Sequence, residues 1–429
     1  MLRLERLELD AAAPGLTAAR IRQLAPACAD VREAVAAILA EVAARGDAAL
    51  QEYTERFDQG GHELRVTDAD LAEAAAALDP AVRSGLQSAI ANVAEVAWAG
   101  VHEDREVVLA QGQHVSIREL PVRRAAVYAP GGRAPYPSTV VMGVVCARAA
   151  GVEQVVVCSP PAVDPVLLAA CEICGVKEVY RMGGAQAVAA LALGTSSVER
   201  VDVIVGPGNL YVQEAKRQLS DRVGIDGFAG PSDLLVLFDA ADEGSLRLIA
   251  LDLLAQAEHG PESLVLATAA DAALLDALDD ELRQLAPLRP SAQPAACVLV
   301  QAPSLEAALE FSDVYAPEHL QLIGPQAEAL APRVRSAGCV FVGWPAATAF
   351  GDYIAGSNHV LPTGGSARFA SALGPGHFRR RMAEVRIPAS AAQALAEVGA
   401  PIAAAEGFRV HAESMRARVR GELRENPSK

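Results

Sequence analysis

The sequence AAVYAPGGRAPYPSTVVMGVVCARAAGVEQVVVC, residues 125–158, decides the fold. An apolar strand at 125–129 ends in a Pro-Gly-Gly turn, a helix is expected from 138 to 150, and a second apolar strand follows at 154–158. Buried strands that alternate with helices are typical of parallel βαβ units. The stretch therefore predicts an α/β domain.

The same alternation extends along the chain in two series. The first continues through strands at 178–180 and 201–205, and the second begins with a strand at 234–238 and ends with one at 339–342. Helical patterns precede the first series, and a loop-rich stretch and a helical tail follow the second. We therefore predict two Rossmann-like parallel-sheet domains, with small N-terminal elements and a helical C-terminal tail.

Composition limits the classes of function. The chain has 429 residues and a formal net charge of −16, which argues against nucleic acid or an anionic membrane as its main partner. Its seven cysteines are scattered, and Cys171 and Cys174 fall inside a predicted helix, which indicates buried thiols rather than disulfides. Neither a signal peptide nor an apolar run of about 18 residues is evident, so the expected location is the cytoplasm.

A candidate metal site begins in residues 252–262, DLLAQAEHGPE. Gln256 and His259 are three residues apart, so they share one face of a helix that is expected to stop at Gly260-Pro261. An amide oxygen and an imidazole can begin a metal site. Such a pair near a helix end is more often solvated or capping, so the pair needs further ligands elsewhere.

A carboxylate and an imidazole stand together at Glu318-His319, in YAPEHLQL. Such a pair can divide general acid and base work near neutral pH. Adjacent strand residues point to opposite faces, so both serve one site only from a loop at the mouth of the strand. Asp352 and His359, in a later loop, could complete a site for Zn²⁺ or Mn²⁺ with Gln256 and His259.

The glycine patterns leave nucleotide binding undecided. Residues 206–209, GPGN, follow a strand and precede a helix, as in a dinucleotide fingerprint, but Tyr211 stands where the third glycine belongs. The glycine turns at 131–132, 183–184 and 206–208 all follow predicted strands. They are therefore expected to line one carboxyl edge of the sheet, where open α/β sheets bind ligands.

Longer motifs carry a resemblance to a known family. The chain resembles the histidinol dehydrogenases over nearly its whole length. The motifs are VYAPGG at 127–132, GGAQAVAALALGT at 183–195, VGPGNLYVQEAKRQ at 205–218, GIDGFAGPSD at 224–233, DLLAQAEHGP at 252–261, YAPEHL at 315–320 and GDYIAGSNHVLPT at 351–363.

The resemblance implies roles for particular residues. Glu318 and His319 resemble the catalytic pair. The implied zinc ligands are Gln256, His259 and Asp352 from one subunit and His411 from its partner in a homodimer. The implied substrate contacts are Ser232, Gln256, His259, His319, Asp352, His359, Glu406 and His411. The implied NAD contacts are Tyr128, Gln186 and Asn209.

The implied reaction is the four-electron oxidation of L-histidinol to L-histidine through the aldehyde, with two NAD⁺ and one water. The expected organisation has a leader at 1–20, a larger α/β domain formed by 21–127 and 233–373, a second Rossmann-like domain at 128–232, and a tail at 374–429 that crosses to the partner subunit. The larger domain would hold the zinc and catalytic residues, and the second would face NAD.

Two stretches depart from the family pattern, and three alternatives stay open. The two stretches are SALGPGHF at 371–378 and GWPAATAFGDY at 343–353. Their differences from the usual forms leave open the path of the loops near the substrate and the identity of the alcohol that is oxidised. The alternatives are a paralogue acting on another small alcohol, a zinc hydrolase and an inert zinc-stabilised dimer. A hydrolase would not need three glycine turns along one sheet edge, and an inert dimer would not need Glu318 and His319.

Overall fold

The computed structural model describes residues 2–26, 30–57, 63–131, 135–228, 230–292 and 294–419. Contacts divide the chain into two units, one formed by Met1–Gly100 and Val122–Phe378 and the other by Val101–Pro121 and Arg379–Lys429. None of the described helices is both long and apolar enough to cross a membrane.

The strands and helices follow one another in the predicted alternation. The strands are β1 (Arg3–Glu8), β2 (Arg105–Val108), β3 (His114–Pro121), β4 (Arg124–Tyr128), β5 (Gln154–Ser159), β6 (Val179–Arg181), β7 (Val203–Val205), β8 (Gly224–Ile225), β9 (Asp233–Phe238), β10 (Leu264–Ala269), β11 (Ala296–Gln301), β12 (His319–Ile323), β13 (Cys339–Val342) and β14 (Arg379–Arg386). The helices are α1 (Pro14–Arg22), α2 (Arg32–Arg45), α3 (Asp47–Phe57), α4 (Asp68–Ala77), α5 (Pro80–Ala99), α6 (Pro137–Ala149), α7 (Pro165–Ile173), α8 (Gly184–Leu193), α9 (Leu210–Gln218), α10 (Glu243–Ala257), α11 (Ala272–Leu285), α12 (Leu305–Tyr315), α13 (Pro325–Glu328), α14 (Thr348–Tyr353), α15 (Ala389–Ala405) and α16 (Arg409–Ala417).

Two parallel sheets form the first unit. The larger sheet has the order β1-β11-β10-β9-β12-β13, and the smaller sheet has the order β6-β5-β4-β7-β8. Every neighbouring pair in both sheets is parallel. In each sheet the first strand of the series lies centrally and later strands add on both sides of it, which is the doubly wound arrangement. The predicted fold class is confirmed.

The N-terminal residues belong to the larger sheet. β1 pairs with β11 from Arg3 to Glu8, with Leu7 buried in the core of that sheet. The sequence pattern predicts a leader at residues 1–20 without a strand. The structure shows an edge strand in which Leu4 and Leu7 point to opposite faces and pack against different core clusters, while the charged residues between and beside them are exposed.

Helices α2 to α5 cover the smaller sheet. Val35 and Leu50 pack in one cluster with Ala126 and Val156, while Leu71 and Val93 belong to a cluster on the other face. The predicted division grouped these helices with the larger sheet, whereas their buried side chains belong to the two clusters on the faces of the smaller sheet. Apolar periodicity shows that a helix has a buried face, but it does not identify the sheet against which that face packs. Cys171 and Cys174 in and after α7 are buried, as predicted.

The second unit contains an antiparallel sheet and a helical pair. The sheet has the order β14-β3-β2, and β2 and β3 form the predicted hairpin, with Gly112 at a φ of 96° in the turn. α15 and α16 pack on each other. The predicted helical tail is therefore present, and it begins after a strand, β14, that was not predicted.

The atypical segment at 371–378 ends in a 3₁₀ turn, Pro375–Phe378. Leu373 and Phe378 are buried and belong to the cluster under α6, and the N–H of Leu373 donates to the carbonyl oxygen of Val360. Both ends of the segment are thereby fixed by core packing, which defines the local path that the sequence left open.

Candidate active site

Helix α10 carries the first two predicted metal ligands to the site. Gln256 lies in its last turn and is buried, whereas the helix ends at Ala257 and His259 follows in the next turn. The helix thus stops earlier than predicted, because Pro261 disfavours helical backbone in the residue before it. The N–H of His259 donates to the carbonyl oxygen of Gln256 at 3.3 Å, so the turn keeps the two residues adjacent.

Glu318 and His319 lie at the entrance to β12. After α12, Ala316 takes a left-handed backbone with φ of 51°, which turns the chain into the strand. His319 is the first residue of β12, and both side chains of the pair are buried. Nδ1 of His319 is 3.7 Å from Oε2 of Glu318. The predicted position of the pair, at the mouth of a strand, is confirmed.

Hydrogen bonds through Ser232 connect α10 to this pair. Nε2 of Gln256 donates to Oγ of Ser232 at 2.5 Å, and Ser232 in turn donates to Oε2 of Glu318 at 2.5 Å. Ser232 directly precedes β9, the neighbour of β12, so strand pairing brings the two together. Burial raises the pKa of Glu318, while His319 and the hydrogen bond from Ser232 act in the opposite direction.

Asp352 on α14 adds a second carboxylate beside the imidazole. Its Oδ1 lies 3.5 Å from Nε2 of His319. Although burial disfavours the charged imidazole, the carboxylates of Glu318 and Asp352 raise the pKa of His319 to about 9. Burial also opposes the charge of Asp352, but its hydrogen bond with His319 holds the pKa of Asp352 below the usual value. The structure thus brings Gln256, Glu318, His319 and Asp352 of the predicted set into one cluster.

The donor set of Gln256, His259 and Asp352 fits a borderline divalent metal ion. Desolvation lowers the pKa of His259 in spite of the attraction from Asp352, so the ring is neutral, and Asp352 stays ionised. These are the protonation states that metal ligands need, and the mixture of nitrogen and oxygen donors suits zinc. Among the described residues, no group of three or more His, Cys, Asp or Glu could hold a metal ion. A site here therefore needs the amide of Gln256 and a further ligand.

His359 has protein partners on both ring nitrogens. Nδ1 is 2.9 Å from the carbonyl oxygen of Asp352, and Nε2 is 3.2 Å from Oγ1 of Thr139. A carbonyl only accepts, so Nδ1 carries the proton and Thr139 donates to Nε2. Burial lowers the pKa of His359, which keeps this tautomer neutral. In this arrangement His359 anchors the Asp352 segment, and its predicted contact with substrate stays a prediction.

Two predicted site residues lie in the second unit. His411 is on α16 and Glu406 caps the end of α15, and both are exposed. The rings of His411 and Phe408 lie 5.3 Å apart. Their assignment to zinc and substrate in a partner subunit stays a prediction.

The three predicted cofactor contacts lie at or beside the carboxyl edge of the smaller sheet. Tyr128 ends β4, and its hydroxyl accepts from the N–H of Gly184 at 3.1 Å. Gln186 is buried in the first turn of α8, and Asn209 caps α9, where its side-chain oxygen accepts from the N–H of Tyr211 at 3.0 Å. The described glycines of the three turns follow strands at this edge, as predicted; Gly132 lies outside the described residues.

Gly206 shapes the same edge. Its φ is 111°, and a Cβ there would collide with the carbonyl oxygen of Tyr128. Its N–H donates to Oδ2 of Asp226 at 2.6 Å, and its carbonyl oxygen accepts from Nζ of the buried Lys216 at 3.0 Å. β4 and β7 are neighbours at the point where the strand order reverses, which is where open α/β sheets bind ligands. The edge is therefore the candidate ligand site of the smaller sheet.

Several residues of the site are not evident from the sequence. Asp233 and Thr139 bond to residues of the predicted set, and Gln321 ties β12 to α10 through Oδ2 of Asp252 at 2.7 Å. Asp233 lies within the quoted motif GPSD and could have been chosen for its position after Ser232. The others gave no signal, because their partners are distant in sequence.

Comparisons with known proteins agree with this arrangement. The family model for histidinol dehydrogenase matches residues 22–419. The histidinol dehydrogenase of Parasynechococcus marenigrum is 42% identical over 401 residues, covering 91% of each chain. That of Xanthomonas euvesicatoria is 41% identical over 426 residues, covering 96% of this chain and 97% of the relative.

A solved structure supports the same conclusion. The crystal structure of histidinol dehydrogenase from Elizabethkingia anophelis superposes with a TM-score of 0.91 at 28% identity, covering 99% of both chains. Sequence similarity and fold therefore agree over nearly the whole length. The chain belongs to the histidinol dehydrogenase family.

Proposed function

We propose that this protein oxidises L-histidinol to L-histidine in two successive NAD-dependent steps at the site formed by Ser232, Glu318, His319 and Asp352. The observation that carries the proposal is the hydrogen-bonded path from Gln256 through Ser232 to Glu318, with His319 between Glu318 and Asp352. Membership of the family supports the choice of substrate.

His319 is the base of the first oxidation. Its Nδ1 faces the carbonyl oxygen of Asp233 at 3.2 Å, so Nδ1 holds a proton and Nε2 is the nitrogen that exchanges one. In its neutral form Nε2 takes the hydroxyl proton of the alcohol while a hydride leaves the same carbon for NAD⁺, and the product is the aldehyde.

Glu318 is the base of the second oxidation. Its Oε2 accepts from Ser232 and from the N–H of Asp233, which leaves Oε1 to take a proton from water. The water oxygen bonds to the aldehyde carbon, and the hydrate then gives its hydride to a second NAD⁺ and becomes the carboxylic acid. Burial raises the pKa of Glu318, and a higher pKa makes a carboxylate a stronger base.

The chain's own residues indicate where zinc and NAD belong. Gln256, His259 and Asp352, with His411 of a second copy, would hold zinc, which supplies a positive charge that orients the substrate's nitrogen atoms and offsets the charge of Asp352. Tyr128, Gln186 and Asn209 would hold NAD. We further propose a homodimer, and a reducing cytoplasm, which is in keeping with free thiols at all six cysteines of the described segments.

The test is an assay of zinc-loaded protein with NAD⁺ and L-histidinol. We expect about two NADH for each histidinol consumed, with His319→Gln strongly impaired and His102→Gln unchanged, because His102 is exposed and remote in sequence from the cluster. Turnover of another alcohol without turnover of histidinol would establish the paralogue instead. Hydrolysis without NADH formation would refute the oxidoreductase proposal.

A further inference from the structure

Asp233, the first residue of β9, contacts both proposed catalytic residues. It is fully buried. Its N–H donates to Oε2 of Glu318 at 3.0 Å, and its Oδ1 accepts from the N–H of Glu318 at 2.7 Å. Its carbonyl oxygen lies 3.2 Å from Nδ1 of His319. One residue therefore makes three hydrogen bonds to two residues that are 85 and 86 positions away.

The three bonds have separate effects. The two bonds with Glu318 form a closed ring, which fixes both the backbone at Glu318 and the direction of its carboxylate. The bond with His319 selects the tautomer with the proton on Nδ1, so Nε2 faces Asp352. Of the three, only the bond at Oδ1 depends on the side chain, so substitution can test it alone.

Arg22 and Tyr315 support the carboxylate from behind. Nη1 of Arg22 is 3.8 Å from Oδ2 of Asp233, and the same guanidinium donates to the carbonyl oxygen of Tyr315 and lies 4.3 Å from the centre of its ring. Arg22 ends α1 and Tyr315 ends α12, two helices that pack on each other. The support therefore comes from elements outside the proposed substrate site.

The buried carboxylate is unfavourable on its own. Burial and the charge of Glu318 raise the pKa of Asp233 to about 7. A buried carboxyl group that lowers stability is often retained where it fixes the geometry of a site. The three contacts identify the geometry that is fixed here.

We propose that Asp233 is a positioning residue for Glu318 and His319, acting through Oδ1 on the backbone of Glu318, with Arg22 holding Asp233 in place. This inference rests on the proposed function for its kinetic readout. The competing explanation is that Asp233 only joins β9 to β12 and contributes to folding alone.

Asp233→Ala and Asp233→Asn separate the two explanations. Asparagine keeps an acceptor at Oδ1, whereas alanine removes it. We expect Asp233→Ala to lower kcat for both the alcohol and the aldehyde by tenfold to a hundredfold, roughly what a misplaced group costs. The KM for histidinol should change little, because Gln256 and Asp352 do not bond to the Asp233 side chain. Asp233→Asn should keep most of the wild-type kcat.

Thr268→Val is the matched control, since Thr268 is a buried polar residue of the neighbouring strand β10 and should leave kcat unchanged. Should Asp233→Ala fail to fold, Asp233→Ser, which is too short to place an acceptor at Oδ1, takes its place. A folded alanine or serine variant with wild-type kcat, or an asparagine variant as impaired as alanine, would overturn the proposal.

A crystal structure of the alanine variant gives a readout that is independent of substrate identity. We expect the Glu318 carboxylate to leave its position beside Ser232, and an unmoved carboxylate would overturn the proposal. If wild-type protein forms no NADH from histidinol, the proposed function fails, while this structural comparison still decides the role of Asp233.

Discussion

Ser232 donates from Oγ to Oε2 of Glu318 at 2.5 Å, and the same hydroxyl accepts from Gln256. The hydroxyl therefore links a proposed metal ligand to the proposed base of the second oxidation. It also distinguishes the two carboxylate oxygens of Glu318, because Oε2 is engaged and Oε1 is left for chemistry.

We expect Glu318→Gln to impair aldehyde oxidation more than alcohol oxidation. The amide oxygen would occupy the Oε2 position, where two donors converge, and an NH₂ group, which is no base, would face the water. Aldehyde oxidation should fall by at least the factor of about 10² that general-base catalysis contributes. Separate NADH assays with histidinol and with its aldehyde check this, and equal losses of both would remove Glu318 from the role assigned to it.

A zinc site shared between subunits predicts complementation. We expect His411→Asn and His259→Asn each to lose zinc and activity, because each removes one proposed ligand. Mixed dimers of the two variants should contain one site with both histidines intact and recover part of the activity. Zinc content and NADH formation in dimers confirmed as mixed are the measurements; no recovery would mean that both ligands belong to the same subunit.

Lys216 should stabilise the carboxyl edge of the smaller sheet. Its ammonium is buried and pairs with Asp226 and with the carbonyl oxygen of Gly206. Lys216→Met leaves the Asp226 charge unpaired, so we expect a loss of about 3–5 kcal/mol in the free energy of unfolding. Chemical denaturation measures it. Lys177→Met is the control at an exposed position and should change little. A double variant with Asp226→Asn should lose less than the two single losses together.

Gly206→Ala and Gly85→Ala should change stability in opposite directions. A Cβ at Gly206 would collide with the backbone of Tyr128 at a φ of 111°, so we expect severe destabilisation and loss of NAD binding. Gly85 is exposed inside α5 with open space around it, so alanine there should stabilise by roughly 0.5–1 kcal/mol. Thermal unfolding of both variants is the check; a stable Gly206→Ala protein that binds NAD would contradict the close packing described above.

Stability should depend on pH through Asp233. Its pKa is raised by burial to about 7, so the folded state keeps a proton that the unfolded state releases near pH 4. The contribution of this bound proton to the free energy of unfolding is fully present below about pH 4. It is lost as the pH rises to about 7. Asp233→Asn does not titrate, so its unfolding free energy relative to wild type should increase between pH 4 and pH 7. A constant difference across that window would show that Asp233 is ionised when folded.

Much of the fold follows from local patterns in the sequence. The α/β alternation, the break between α4 and α5 at Asp79-Pro80 and the hairpin around Gly112 follow from apolar periodicity and turn residues, which act over a few positions. Periodicity did not place β1 at the edge of the larger sheet, nor α2 to α5 on the smaller one, because the partners of these elements lie far along the chain.

The sequence by itself determined the family and the residue types of the site: the amide and imidazole at Gln256 and His259, and the carboxylate and imidazole at Glu318-His319. Only the tertiary structure decided which atoms meet. The parallel pairing of β9 with β12 places Ser232 and Asp233 against Glu318, and hydrogen bonds act only over about 3 Å. Such contacts depend on strand register, which is a property of the assembled sheet and not of any one segment.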